Sequence, residues 1–193
     1  MSRMTRMFVA VVPPEEVVED LDAFLSARRE AASFRWSAAE QWHLTLAFMP
    51  SVADRHLDDL SDRLGQAAAR RTAFPLALAG GGAFPDPALA RVLFARVETE
   101  GEELDRLVTG VRAAAGKAGA GPDGGRFHPH VTLARSGRPL EATRWLRVLD
   151  AYRGDVWWAQ EVALVASHLG EGPRRRPRHD LVETFRLGGH EAR

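Results

Sequence analysis

Apolar residues fall along the chain in two rhythms, one near two and one near 3.6, and the rhythms take turns. Residues 7–12 are a continuous apolar run that Pro13-Pro14 closes, which predicts a buried strand. Pro14-Glu15-Glu16 suits a first helical turn, and Val17, Leu21, Phe24 and Leu25 keep helical spacing to about Arg29. Phe34-Arg35-Trp36 is a short extended piece. Residues 42–48 alternate as a strand ending at Pro50, with Ser51 as cap for a helix carrying Leu57, Leu60, Leu64 and Ala67. A strand over 74–79 is expected to stop at Gly80-Gly81-Gly82, and Pro85-Asp86-Pro87 reads as a turn. A strand over 91–97 and a helix from about Glu102 follow, the helix inward at Leu104, Leu107, Val108, Val111 and Ala115. A glycine-rich loop over 116–125 leads to a strand at 130–135. Residues 139–150 read as a helix, 162–166 as a strand, 170–178 as a polar loop and 181–187 as a last strand. The order is α+β, in two similar halves of strands and helices. It predicts two lobes facing each other about a pseudo-two-fold axis, with a cleft between them.

The halves share a phrase. His43-Leu44-Thr45-Leu46-Ala47 returns 87 residues later as His130-Val131-Thr132-Leu133-Ala134. One His-x-Thr arises by chance with odds of roughly one in three; two copies, each running on into Leu-Ala, at about one in a hundred. Strand alternation puts His43, Thr45 and Ala47 on one face, with Leu44, Leu46 and Phe48 on the other. It likewise separates His130, Thr132 and Ala134 from Val131 and Leu133, and sends Arg135 away from His130.

Composition narrows the chemistry. The 193 residues are 45% hydrophobic and 27% charged, typical of a globular protein. The 26 basic and 26 acidic residues cancel, which argues against a duplex-coating protein and leaves room for a local basic site. With no cysteine there is no disulfide, thiolate metal site or Cys nucleophile, and a cytoplasmic address is compatible. No signal-peptide core or run long enough to cross a membrane stands out.

Two imidazoles facing one cavity suit a reaction that removes one proton and delivers another, since both protonation states of His are accessible near neutrality. Placed on opposite sides of a phosphorus, they suit in-line phosphodiester cleavage. The two Thr hydroxyls can donate to nonbridging phosphate oxygens, and a nearby Arg would add charge. The competing reading makes His43, His128 and His130 metal ligands. Such a site wants a carboxylate too, and no Asp or Glu stands beside either motif at a recognisable ligand spacing.

On these residues the chain resembles the two-histidine (2H) phosphoesterase superfamily, and within it the RNA 2′,3′-cyclic phosphodiesterases also called 2′-5′ RNA ligases. The motifs are His43-Leu44-Thr45-Leu46 and His130-Val131-Thr132-Leu133. Arg6-Met7-Phe8-Val9-Ala10, Arg35-Trp36, Arg91-Val92-Leu93-Phe94, residues 127–135 and Ser167-x-Leu169 extend the likeness over most of the chain. Met49-Pro50 stands where the family usually has a Gly, and His179 where it usually has a Tyr. The resemblance implies one bilobal domain over 1–193, with antiparallel strands, outer helices and the site in the central cleft. It implies hydrolysis of RNA 2′,3′-cyclic phosphate ends to 2′-phosphates, by a monomer, with no metal, cofactor or membrane. His43 would be the proton donor to the leaving 3′ oxygen, His130 the proton acceptor activating water, and Thr45 and Thr132 the phosphate holders. The family pattern also gives Arg135 a phosphate role, against the solvent role its parity suggests. By microscopic reversibility such a site could also join a cyclic-phosphate or 2′-phosphate end to a 5′-hydroxyl, a 2′-5′ ligation. Alternatives are the same chemistry on a small nucleotide such as an ADP-ribose cyclic phosphate, and an RNA-end-binding protein without chemistry.

Lesser candidates have plainer readings. His128 suits a structural role. Arg174, Arg175, Arg176 and Arg178 could meet an RNA backbone or simply face water. Phe8 and Trp36 could stack on a base, although core packing is the commoner fate of aromatics. Trp42 is expected in the core, and Trp157-Trp158 to place one ring in and one out.

Overall fold

The computed structural model describes residues 3–29, 34–172 and 176–189. Its strands are β1 (Met4–Val11), β2 (Arg35–Trp36), β3 (Leu44–Ala53), β4 (Phe74–Phe84), β5 (Ala90–Thr99), β6 (His130–Leu140), β7 (Trp157–Ala159), β8 (Glu161–His168) and β9 (Arg178–Arg186). The helices are α1 (Glu15–Ser26), α2 (Leu57–Ala69), α3 (Glu103–Lys117) and α4 (Thr143–Leu149). All nine strands join in one sheet, ordered β7-β4-β5-β6-β3-β1-β8-β9 with β2 beside β6, and every ladder is antiparallel.

The two lobes are the two ends of this sheet, and the motif strands meet at its middle. β3 and β6 share a single pair, Leu44 with Val131, and then part. The edge that β6 loses is taken over by β2, through Arg35–Arg135 and Trp36–Ala134. α2 and α3 pack together against the β3 and β9 side. α4 lies on β4, and α1 leans on Tyr152 beside it, where the Tyr152 hydroxyl donates to Asp20 at 2.7 Å. The helix stripes are buried as their spacing requires: Val17, Leu21 and Leu25 of α1, Leu60 and Leu64 of α2, and Leu104, Leu107, Val108 and Val111 of α3. Trp42 is in the core at 2% exposure, and Trp157 points in while Trp158 points out.

Several boundaries differ from expectation. β4 does not stop at its three glycines. It passes through them to Phe84, because a side chain at Gly81 would collide with Leu149 of α4 and one at Gly82 with the ring of Phe94. The glycines there admit neighbours; Gly80, at φ +70°, makes the bulge that precedes them. β6 runs on through Pro139 to Leu140 at its open end, so α4 starts only at Thr143. β3 passes Pro50 to Ala53, which keeps Ser51 in a strand rather than capping α2. The residues from 155 to 169 hold two strands, β7 and β8, where one was expected.

Candidate active site

Each motif strand carries a bulge at the same place. Ala10 pairs with Thr45 and Val9 with Ala47, so Leu46 is the extra residue. Phe94 pairs with Thr132 and Leu93 with Ala134, so Leu133 is the extra residue. A bulge reverses the sense of the residues beyond it. Ala47 and Ala134 therefore turn into the core, fully buried, although alternation puts them beside the histidines. Phe48 leaves the core face and joins Phe8, Ala10, Ala163 and Val165 on the cleft side. By the same reversal Arg135 comes onto the His130 face, and its positive charge bears on both His43 and His130. The carbonyls freed by the bulges find partners outside the ladder. Leu46 O accepts from Arg112 Nε at 3.1 Å, and Leu133 O accepts from the Ser37 amide at 2.8 Å.

The two imidazoles are clamped alike. His43 Nδ1–H donates to the carbonyl of Gln41 at 2.7 Å, and His130 Nδ1–H to that of His128 at 2.6 Å. A carbonyl can only accept, so Nδ1 bears the hydrogen in both rings and Nε2 is the free nitrogen. The Gln41 side chain also donates to Pro177 O at 2.9 Å, tying the start of β9 to the residue that orients His43. Because β3 and β6 are antiparallel about Leu44–Val131, the register sets His43 level with Thr132 and His130 level with Thr45, and Thr45 and His130 line one cavity. Each ring rests on an aromatic floor. Phe8 stacks on His43 at 4.4 Å between centroids, and Phe84 and Phe94 each lie 5.1 Å from His130.

Burial and positive neighbours act on both histidines in one direction. His43 is lowered to about 4, first by burial and then by His179, His130 and Arg135, against the Gln41 hydrogen bond. His130 is lowered by burial, with Arg135 and His128 adding to it and the His128 carbonyl opposing. Arg135 is itself lowered by partial burial and by Arg6. Among the described residues no carboxylate forms an ion pair with Arg6 or Arg135. The cleft is a set of cationic and cation-capable groups whose balance an anion would complete.

Four residues escaped the sequence reading as site residues: Arg6, Phe84, Phe94 and His179. Arg6 lies over the Phe48 ring at 4.3 Å, and His179 stands edge-on to Phe8 and His43 at 5.1 and 5.6 Å. Alternation with Phe8 is a signal that could have found Arg6; the others depend on strand pairing. Phe8 is buried, at 5%, yet belongs to the cleft as well as the core. Trp36 packs on Trp145 at 5.1 Å. On the His130 side a cavity of about 160 Å³ is lined by Thr45, Phe48, Arg112, Arg126, His128 and His130. Among the described residues no three His, Asp or Glu side chains form a metal-ligand group, and His43, His128 and His130 are not such a set. Of the basic loop, Arg174 and Arg175 lie outside the described residues, and Arg178 bridges Glu171 and Asp180 at 3.1 Å each. Among the described residues, no helix is long and apolar enough to cross a membrane.

The sequence matches the family model of the 2′-5′ RNA ligase superfamily over residues 13–171. It is 35% identical to an RNA 2′,3′-cyclic phosphodiesterase of Thermus thermophilus, an alignment spanning 97% of this chain and 93% of that one. The crystal structure of Escherichia coli LigT in apo form superposes with a TM-score of 0.78 at 26% identity, covering 96% of this chain and 99% of LigT. LigT complexed with 3′-AMP superposes with the same score at 25% identity and the same coverage.

Proposed function

The chain belongs to the 2′-5′ RNA ligase superfamily, and from that premise we propose that it hydrolyses RNA 2′,3′-cyclic phosphate ends to 2′-phosphomonoesters, with two histidines and no metal. The observation that carries this reading is the matched pair of Nδ1–H clamps, which leaves two free Nε2 atoms on antiparallel strands sharing one cleft with Thr45, Thr132 and Arg135. His130, neutral, accepts a proton from water through Nε2 as the water oxygen attacks phosphorus. The P–O3′ bond breaks, and His43, protonated, delivers its Nε2 proton to the departing 3′ oxygen. The products are a 2′-phosphate and a 3′-hydroxyl, and proton exchange with solvent resets the pair. Thr45 and Thr132 hold the nonbridging oxygens, while Arg135 offsets the charge that builds on them. Run forward with a 5′-hydroxyl in place of water, the same step joins ends through a 2′-5′ phosphodiester and leaves a 3′-hydroxyl; run backward, it cleaves that linkage.

The acid role of His43 fits its surroundings once phosphate is present. In the free cleft its proton is disfavoured by burial and by neighbouring positive charge. A bound phosphate anion supplies the opposite field and raises it. The test is hydrolysis of an oligoribonucleotide ending in a 2′,3′-cyclic phosphate, in EDTA, with the product end identified. The expected outcome is a 2′-phosphate in wild type and a loss of about 100-fold or more in His43→Ala and in His130→Ala, the scale of one acid or base. Turnover that appears only after adding Mn or Zn would overturn the mechanism.

A further inference from the structure

The cleft face of the sheet continues past His43 into groups that the hydrolytic step does not use. The β1–β8 ladder ends at Met7 with Ala166, and Arg6 and Ser167 are the next residues of the two strands at that end. Ser167 in turn pairs with His179. Arg6, Ser167 and His179 thus form a row across β1, β8 and β9. The row is on the cleft side. The Arg6 guanidinium lies over Phe48, His179 is edge-on to Phe8 and His43, and Ser167 follows Ala163 and Val165 of the cleft cluster. Asp180, the acid next to His179, is turned to the opposite face, where it meets His168 at 3.2 Å and Arg178 at 3.1 Å. A cation, a hydroxyl and an imidazole therefore stand together with no carboxylate paired to Arg6 among the described residues.

We propose that Arg6, Ser167 and His179 form a second anion subsite, which takes the phosphodiester on the 5′ side of the terminal ribonucleotide. The rings of His43 and His179 are 5.6 Å apart and edge-on, so the row adjoins the position of the reacting phosphate and offers the next anion of the strand donors of its own. Occupied together, the two sites read a chain end, and an isolated cyclic nucleotide fills only one. Arg6 gives a planar fork of donors to the phosphate oxygens, and His179 adds a donor whose protonation the anion favours. This subsite rests on the phosphodiesterase reading, and its test separates the two.

Three substrates share one cyclic-phosphate end: adenosine 2′,3′-cyclic phosphate, the dinucleotide ApA with that end, and the same dinucleotide with a neutral methylphosphonate linkage. In wild type the phosphodiester dinucleotide is expected to exceed the methylphosphonate in kcat/KM by about tenfold, the worth of one charge-assisted contact. In Arg6→Gln and in His179→Phe that ratio is expected to shrink to about threefold or less, as the contact is lost. Equal rates on the two linkages in wild type would overturn the subsite, as would variants that slow both linkages by the same factor. Cleavage of none of the three would reject the phosphodiesterase reading. The subsite is then decided by titrating ApA and its methylphosphonate into wild type: tighter binding of the charged linkage supports it, and equal affinities overturn it.

Discussion

At the scale of single residues, the histidines are set up by what each nitrogen touches. Both Nδ1 atoms are spent on backbone carbonyls, so each ring has one working nitrogen and a fixed tautomer when neutral. His43 is pushed to about 4 and His130 also falls, burial being the first cause in each case. A step that needs His43 protonated and His130 neutral loses its acid as pH rises through the His43 value and its base as pH falls through that of His130, so the product of the two fractions falls away above both values and below both. The pH maximum of kcat/KM, which reports the free enzyme, is therefore expected between about 4 and the ordinary histidine value of about 6.5. A bound phosphate favours both imidazolium forms, so the kcat maximum is expected at higher pH than that of kcat/KM. Arg135→Gln removes a positive charge that disfavours both imidazolium forms and should move the kcat/KM maximum slightly upward. Paired pH profiles of wild type and variant check this; coincident maxima above pH 7 would contradict it.

At the scale of elements, what was legible was the repeat and the aliphatic face of each motif strand. Leu44, Leu46, Val131 and Leu133 are all buried, as strict alternation requires. Alternation then failed at one residue in each strand, and it failed twice in the same way. A bulge is decided by pairing with a partner strand, which a period-two reading of one strand does not contain. Arg135 was accordingly sent to the wrong face, and Phe48 with it. The three glycines of β4 misled for a related reason. Glycine breaks strands in isolation, but here it makes room for Phe94 and Leu149. The two neighbours predict different faults. In Gly82→Ala the new methyl group meets the outer edge of the half-buried Phe94 ring, which can swing aside but is also the floor under His130. The expected result is a modest stability loss of about 1 kcal/mol with a larger fall in kcat. In Gly81→Ala the methyl group meets fully buried Leu149, so stability should fall by about 1–3 kcal/mol while the residual folded protein keeps most of its kcat. Denaturant melts and turnover of the two variants decide it; equal losses of both kinds would show that Phe94 does not support His130.

At the scale of the whole molecule, a net charge of zero coexists with a cleft that collects Arg6, Arg135 and three histidines. The positive field is local, so RNA should be gripped at its end and released along its length. A second basic region lies between α2 and α3, where Arg63, Arg70, Arg71, Arg106 and Lys117 line a groove of about 670 Å³. There Arg63 is paired with Asp59 and Arg106 with Glu102 and Glu103, while Arg70 and Lys117 sit at helix C-termini, where cations are favoured regardless of ligand. The two regions make different demands on salt. Single strands lose affinity with a slope of about −0.7 per phosphate contact in log K against log salt. End recognition through two or three phosphates predicts a slope of roughly −1.5 to −2. Adding nucleotides beyond the first few should leave that slope unchanged. If the slope instead steepens to about −4 as the RNA lengthens, and Arg70→Glu with Arg71→Glu restores the shallow value, the helical groove holds the body of the RNA and recognition is not confined to the cleft.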